Sequence, residues 1–109
     1  MSSLTEIEKR YFEKLLGMRT GYVLDFSDAT FSEFFRNTVR VDIDDPKYGG
    51  MSKGKRLRSF WEQETDALVG KVLGEMLKIW VHVQPDRAVA LNDYEHLQAK
   101  KTVARLTGQ

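Results

Sequence analysis

The sequence predicts an all-α, or nearly all-α, compact bundle of about five helices with an irregular loop between the second and third. Apolar residues recur every three or four positions in one segment after another. Several of these segments open on Ser, Thr or Asn with Glu three places later, the signature of a capped helix start. Only Tyr22 to Phe26 reads as strand-like, and no second run of that character exists to pair with it.

The first helix is expected to begin at Ser3, with Glu6 completing a capping box, and to carry Leu4, Ile7, Tyr11, Leu15 and Met18, widened by Phe12 and Leu16. Gly17 and Gly21 bracket its end. Tyr22 to Phe26, interrupted by Asp25, is read as a connector lying on the core. A second helix starts between Ser27 and Thr30, with Thr30 and Glu33 as its capping pair, and carries Phe31, Phe34, Phe35 and Val39. Val41 to Gly50 is a loop, because Pro46 disfavours helix for Asp45 and the Gly49–Gly50 pair admits positive backbone angles. Ile43 and Tyr48 are expected to pin it to the body.

Ser52 caps a third helix, with Leu57, Phe60 and Trp61 on one face to meet the phenylalanines of the second. A fourth runs from Thr65 or Asp66 to Val83 with a broad face of Leu68, Val69, Val72, Leu73, Met76, Leu77 and Trp80, and Pro85 lies just past its end. Gly70 and Gly74, one turn apart, cost about 1 kcal/mol each in helix propensity but let another backbone come close. A final helix, capped by Asn92 with Glu95, carries only the thin stripe Tyr94, Leu97, Val103 and Leu106.

The 109 residues suffice for one domain and are too few for two well-packed ones, so residues 1–109 are read as a single helical domain. A hydrophobic fraction of 41% argues against disorder. Formal charge is only +1 although 30% of residues are charged, so any anionic partner must be met by a local patch. The chain has no cysteine, which removes disulfides and thiolate chemistry. It has no secretory leader pattern and no apolar run long enough for a membrane, which makes cytoplasm the default compartment and gives no membrane partner.

The sharpest feature is Lys53, Lys55, Arg56 and Arg58, four cations within six residues, preceded by two glycines at a helix start. Helix amino ends already carry partial positive charge, so bases there suit a phosphate backbone or another polyanion. The competing reading makes them a solvated face partly neutralised by Asp42, Asp44 and Asp45. Those acids lack the alternation and terminal Glu of a calcium loop, so no metal ligand is assigned. His82 and His96 stand alone, no phosphate loop, zinc-protease, serine-hydrolase or RxxxxH pattern occurs, and neither a catalytic residue nor a cofactor is implied. Trp61 and Trp80 read as packing residues.

The motifs Gly21-Tyr-Val-Leu-Asp-Phe-Ser27, Thr30-Phe31, Glu33-Phe34-Phe35, Asp42-Ile43-Asp44 with Tyr48, Ser52-Lys53, Arg56-Leu57-Arg58 and Phe60-Trp61 resemble a recurrent bacterial N-terminal domain, that of AbiJ-like abortive-infection and related phage-defence proteins. The resemblance covers roughly residues 6 to 80. It implies a non-catalytic recognition module placed before an effector such as a helical ribonuclease, within a protein longer than this chain; no functional residue carries over with it.

Two functions are expected. In the first, Lys53, Lys55, Arg56 and Arg58 contact nucleic acid or another polyanion, with Arg56 and Arg58 replaceable by Ala at little cost to melting. In the second, the chain is an adaptor that pairs, through its final helix or an apolar patch around Phe12 and Leu16, with a downstream domain, a partner protein or a second copy of itself. A metal-dependent hydrolase using Asp42 and Asp44 ranks last.

Overall fold

A computed structural model describes residues 1–88 and 93–108. Among them are five helices of ten residues or more, α1 (Glu6–Leu15), α2 (Asp28–Val39), α3 (Lys53–Gln63), α4 (Asp66–Val83) and α6 (Tyr94–Thr107), with a short α5 (Pro85–Ala88). Single 3-10 turns occupy Met18–Thr20 and Pro46–Tyr48, and the described residues contain no strand. The protein is therefore an all-α bundle, with an extent of 40 × 28 × 23 Å. No helix among the described residues is long and apolar enough to cross a membrane.

Helix starts are set by short polar side chains, though not always the ones the sequence points to. Thr5, not Ser3, caps α1, with Glu8 completing the capping box. Ser3 is drawn away by Asp66: its amide and hydroxyl donate to the two carboxylate oxygens at 2.5 and 2.7 Å. α2 begins three residues before the Thr30 start, since Ser27 and Thr30 satisfy one another's backbone amides. Ser52 caps α3 as the sequence predicts, and Thr65 caps α4, which begins at Asp66 within the expected bounds. Asn92, expected to cap the last helix, lies outside the described residues; Asp93 caps α6 by accepting from the His96 amide.

One buried cluster draws on all five long helices. Phe35 and Phe60 contact edge to face with centroids 5.1 Å apart, and Phe12 of α1 reaches Trp61 at 6.5 Å. The Phe-rich and Trp-bearing segments thus bury one another, a favourable arrangement because offset rings add to the gain from area alone. Ile43 and Tyr48 are buried and hold the intervening loop down. On α1 the buried set is Phe12, Leu15 and Leu16, whereas Ile7 is 55% exposed. Phe12 and Leu16, at 0% and 1% exposure, offer no patch to a partner, which corrects that part of the adaptor reading.

The last helix docks more fully than its thin stripe suggests. Its buried residues are His96, Ala99, Thr102 and Leu106, while Tyr94 and Leu97 face solvent. Gly70 and Gly74 explain the fit: a Cβ at Gly70 would lie 2.8 Å from a Thr107 methyl and 2.9 Å from Leu106 Cβ, and one at Gly74 would lie 3.2 Å from Val103. Since Gly70 meets 106 and 107 while Gly74 meets 103, α4 and α6 run antiparallel.

Candidate functional site

The basic start of α3 is built around Arg56, which is turned inward. Its side chain is 6% exposed. Its Nε donates to the Met51 carbonyl at 3.0 Å, one guanidinium nitrogen donates to Asp28 Oδ1 at 2.9 Å, and the other donates to Asp44. Asp44 also accepts from Ser32, and the guanidinium lies over the Phe31 ring at 5.3 Å. A cation this close to a helix amino end is opposed by the helix dipole, and burial makes pairing obligatory. Two acids, one from the first turn of α2 and one from the 41–50 loop, supply it.

Lys53, 10% exposed at its side chain, lies 3.8 Å from Asp28 and over the Tyr22 ring. Arg58 Nε donates to Glu13 at 2.6 Å. Of the four predicted cations, Lys55 alone is exposed and makes no ion pair with a described residue. The expectation of an outward-facing cationic face before Leu57 is therefore corrected: the structure brings Lys53 and Arg56 together on Asp28, directs Arg58 to α1, and leaves Lys55 to solvent. The acids of the loop close onto the helix instead of gathering for a metal; among the described residues no group of three or more Asp, Glu or His side chains converges.

Between α1 and α3 lies a cleft of about 350 Å³ whose charged lining is balanced, Lys9, Arg10 and Arg58 against Glu6, Glu13 and Glu62. Trp61 closes its floor and is 1% exposed; its indole N–H has no acceptor among the described residues. Packing explains both tryptophans, since Trp80 is equally buried and stacks beside His96 with centroids 4.5 Å apart.

A groove of about 640 Å³ runs along the outer seam of α4 and α6. Leu77, Val81, Val103 and Ala104 form its floor, and Lys71 and Lys78 from α4 face Lys100 from α6 across it. Its one acid, Glu75, is held by Lys78 at 3.1 Å. Lys71 and Lys100 are exposed and make no ion pair with a described residue. The same glycines that bring α6 against α4 create the seam, because a backbone packed this closely leaves the flanking side chains splayed.

The opposite side of α6 is locked to α1. Burial works against the Glu8 charge, but the Thr5 amide, Arg105 and the Thr102 hydroxyl outweigh it and hold that carboxyl below its usual value. Glu95 is lowered chiefly by the Lys14 ammonium at 2.9 Å. Asp66 is lowered by the amide and hydroxyl of Ser3. The Glu8 and Glu95 contacts fix α6 on α1 and leave its outer seam open.

Sequence reasoning missed Asp28 as the partner of Arg56 and missed Lys71, Lys78 and Lys100 as a set. The Gly70–Gly74 spacing was the available signal for the second, since it marks a close helix pair; which side of the pair stays open is a tertiary fact. Compared with protein-family models, with curated proteins and with solved structures, the chain finds no match.

Proposed function

We propose that the chain is a recognition module that docks a protein partner along the α4–α6 groove. The observation that carries this reading is an apolar floor left open between two lysine-bearing walls, on helices fixed to one another by their glycine contacts. Desolvating such a floor is favourable, at about 25 cal/mol per Å² of apolar area, and surface lysines around it supply orientation. A binding module of this kind accords with the implied placement before an effector in AbiJ-like defence proteins.

Contact with nucleic acid through the start of α3 is the competing reading. It rests on Lys55 with help from Arg58, because Arg56 and Lys53 already neutralise Asp28 and Asp44. An unbiased peptide-display library panned against the protein separates the two, run beside mobility shifts with single-stranded DNA, double-stranded DNA and RNA at two salt concentrations. Peptides that are enriched by the wild type and lost by Ala104→Arg support the groove. A nucleic-acid shift that falls steeply with salt and weakens in Lys55→Ala, with no peptide enriched, refutes it in favour of the polyanion.

A further inference from the structure

Resting on the docking role proposed above, we infer that the occupant of the α4–α6 groove is an acidic amphipathic helix of about three turns. Length comes from the walls. The α4 lining runs from Gly70 to Val81, eleven steps that at about 1.5 Å each give a trough of about 17 Å. Helical conformation follows from hydrogen bonding. The seam runs along the flanks of two helices whose amides and carbonyls, short of the last turn of each, are engaged within their own turns. An extended peptide would find no backbone partners on such walls and would bury its own polar groups unpaired, whereas a helix brings its backbone already satisfied.

Charge comes from the rim. Lys71 stands on one wall and Lys100 on the other, neither in an ion pair with a described residue, while Lys78 is already paired with the single acid, Glu75. The occupant therefore carries acids on both flanks of its apolar stripe, one side toward Lys71 and the other toward Lys100. A nucleic-acid strand could meet the rim lysines through its phosphates but would leave the apolar floor of Leu77, Val81 and Val103 without a matching surface. A second copy of the chain is a separate outcome, read from sedimentation.

The test is a pool of helical 14-residue peptides with leucines fixed at i, i+3, i+7 and i+10 and each flanking position varied between Glu and Lys, retained on immobilised protein and sequenced. The expected result is enrichment of Glu on both flanks, by about tenfold over Lys for two rim ion pairs, and reversal of that preference in Lys71→Glu/Lys100→Glu. Far-UV circular dichroism confirms that this surface variant is folded. Peptides retained without charge preference, or with one the variant leaves unchanged, overturn the acidic assignment and leave the docking role standing. A pool that is not retained while the unbiased library binds at the groove overturns the helical assignment alone, and failure of both libraries overturns the docking role as well. Concentration-dependent self-association that Ala104→Arg abolishes replaces the acidic helix with a second copy.

Discussion

Replacing Arg56 by Ala should destabilise the protein as a core mutation does, although the residue reads in sequence as one of four surface bases. The substitution removes hydrogen bonds to the Met51 carbonyl, Asp28 and Asp44 together with the contact on Phe31. A charged hydrogen bond is worth about 1.5–3 kcal/mol, but the side chains of Asp28 and Asp44 are 80% and 53% exposed. Water therefore recovers most of what those acids lose. The Met51 bond, the buried stem and a screened share of the two pairs remain, for a loss of about 2–3 kcal/mol. At this chain length that lowers Tm by roughly 4 °C per kcal/mol. Arg56→Met, which keeps the stem, should lose about half as much, and Lys55→Ala less than about 0.5 kcal/mol. Urea unfolding followed by the fluorescence of Trp61 and Trp80 measures all three. An Arg56→Ala variant as stable as Lys55→Ala would refute the inward placement of the guanidinium. The inward placement of Arg56 argues against removing it with melting nearly unchanged, and makes Lys55→Ala the cleaner probe of any polyanion contact.

Gly70→Ala should destabilise by about 1–3 kcal/mol despite its gain in helix propensity, because the added methyl collides with Leu106 Cβ at 2.9 Å. Gly74→Ala, whose methyl meets only Val103 at 3.2 Å, should lie within about 1 kcal/mol of the wild type; equal losses in the two would contradict the close approach of α6. Because the fold depresses the Glu8 carboxyl below its usual 4.5, its contribution is complete above pH 4.5 and is lost as pH falls through the lower folded value. Glu8→Gln should flatten that acid limb, and a variant with the same acid profile as the wild type would show that Glu8 does not fasten α6 to α1.

Local signals carried the helices well. The cap Ser52, the start of α4, the loop around Pro46 and the face of Leu57, Phe60 and Trp61 all rest on contacts a few residues apart, and each appears where spacing puts it. The errors have a common form. Ser3 satisfies the capping pattern, but a carboxylate 63 residues away competes for its amide. Ile7 keeps helical register with Leu4 and Tyr11, yet the side of α1 that faces the core is chosen by Phe12 and by α6. The basic cluster failed as a surface for the same reason: Asp28 sits 28 positions from Arg56, so its neutralising role is invisible to any local window. The groove lay further from view, because it is a property of two helices and of nothing in either one.

The bridge from Arg105 to Glu8, at 2.5 Å, makes the opening turn and the closing helix neighbours. A ribosome delivers those partners at opposite times. Until α6 emerges, the glycine-bearing flank of α4 has nothing to cover it, so the nascent chain carries exposed apolar surface between the synthesis of α4 and that of α6. A codon change that slows the stretch from Val83 to Thr107 would prolong that interval and favour aggregation without altering a single side chain.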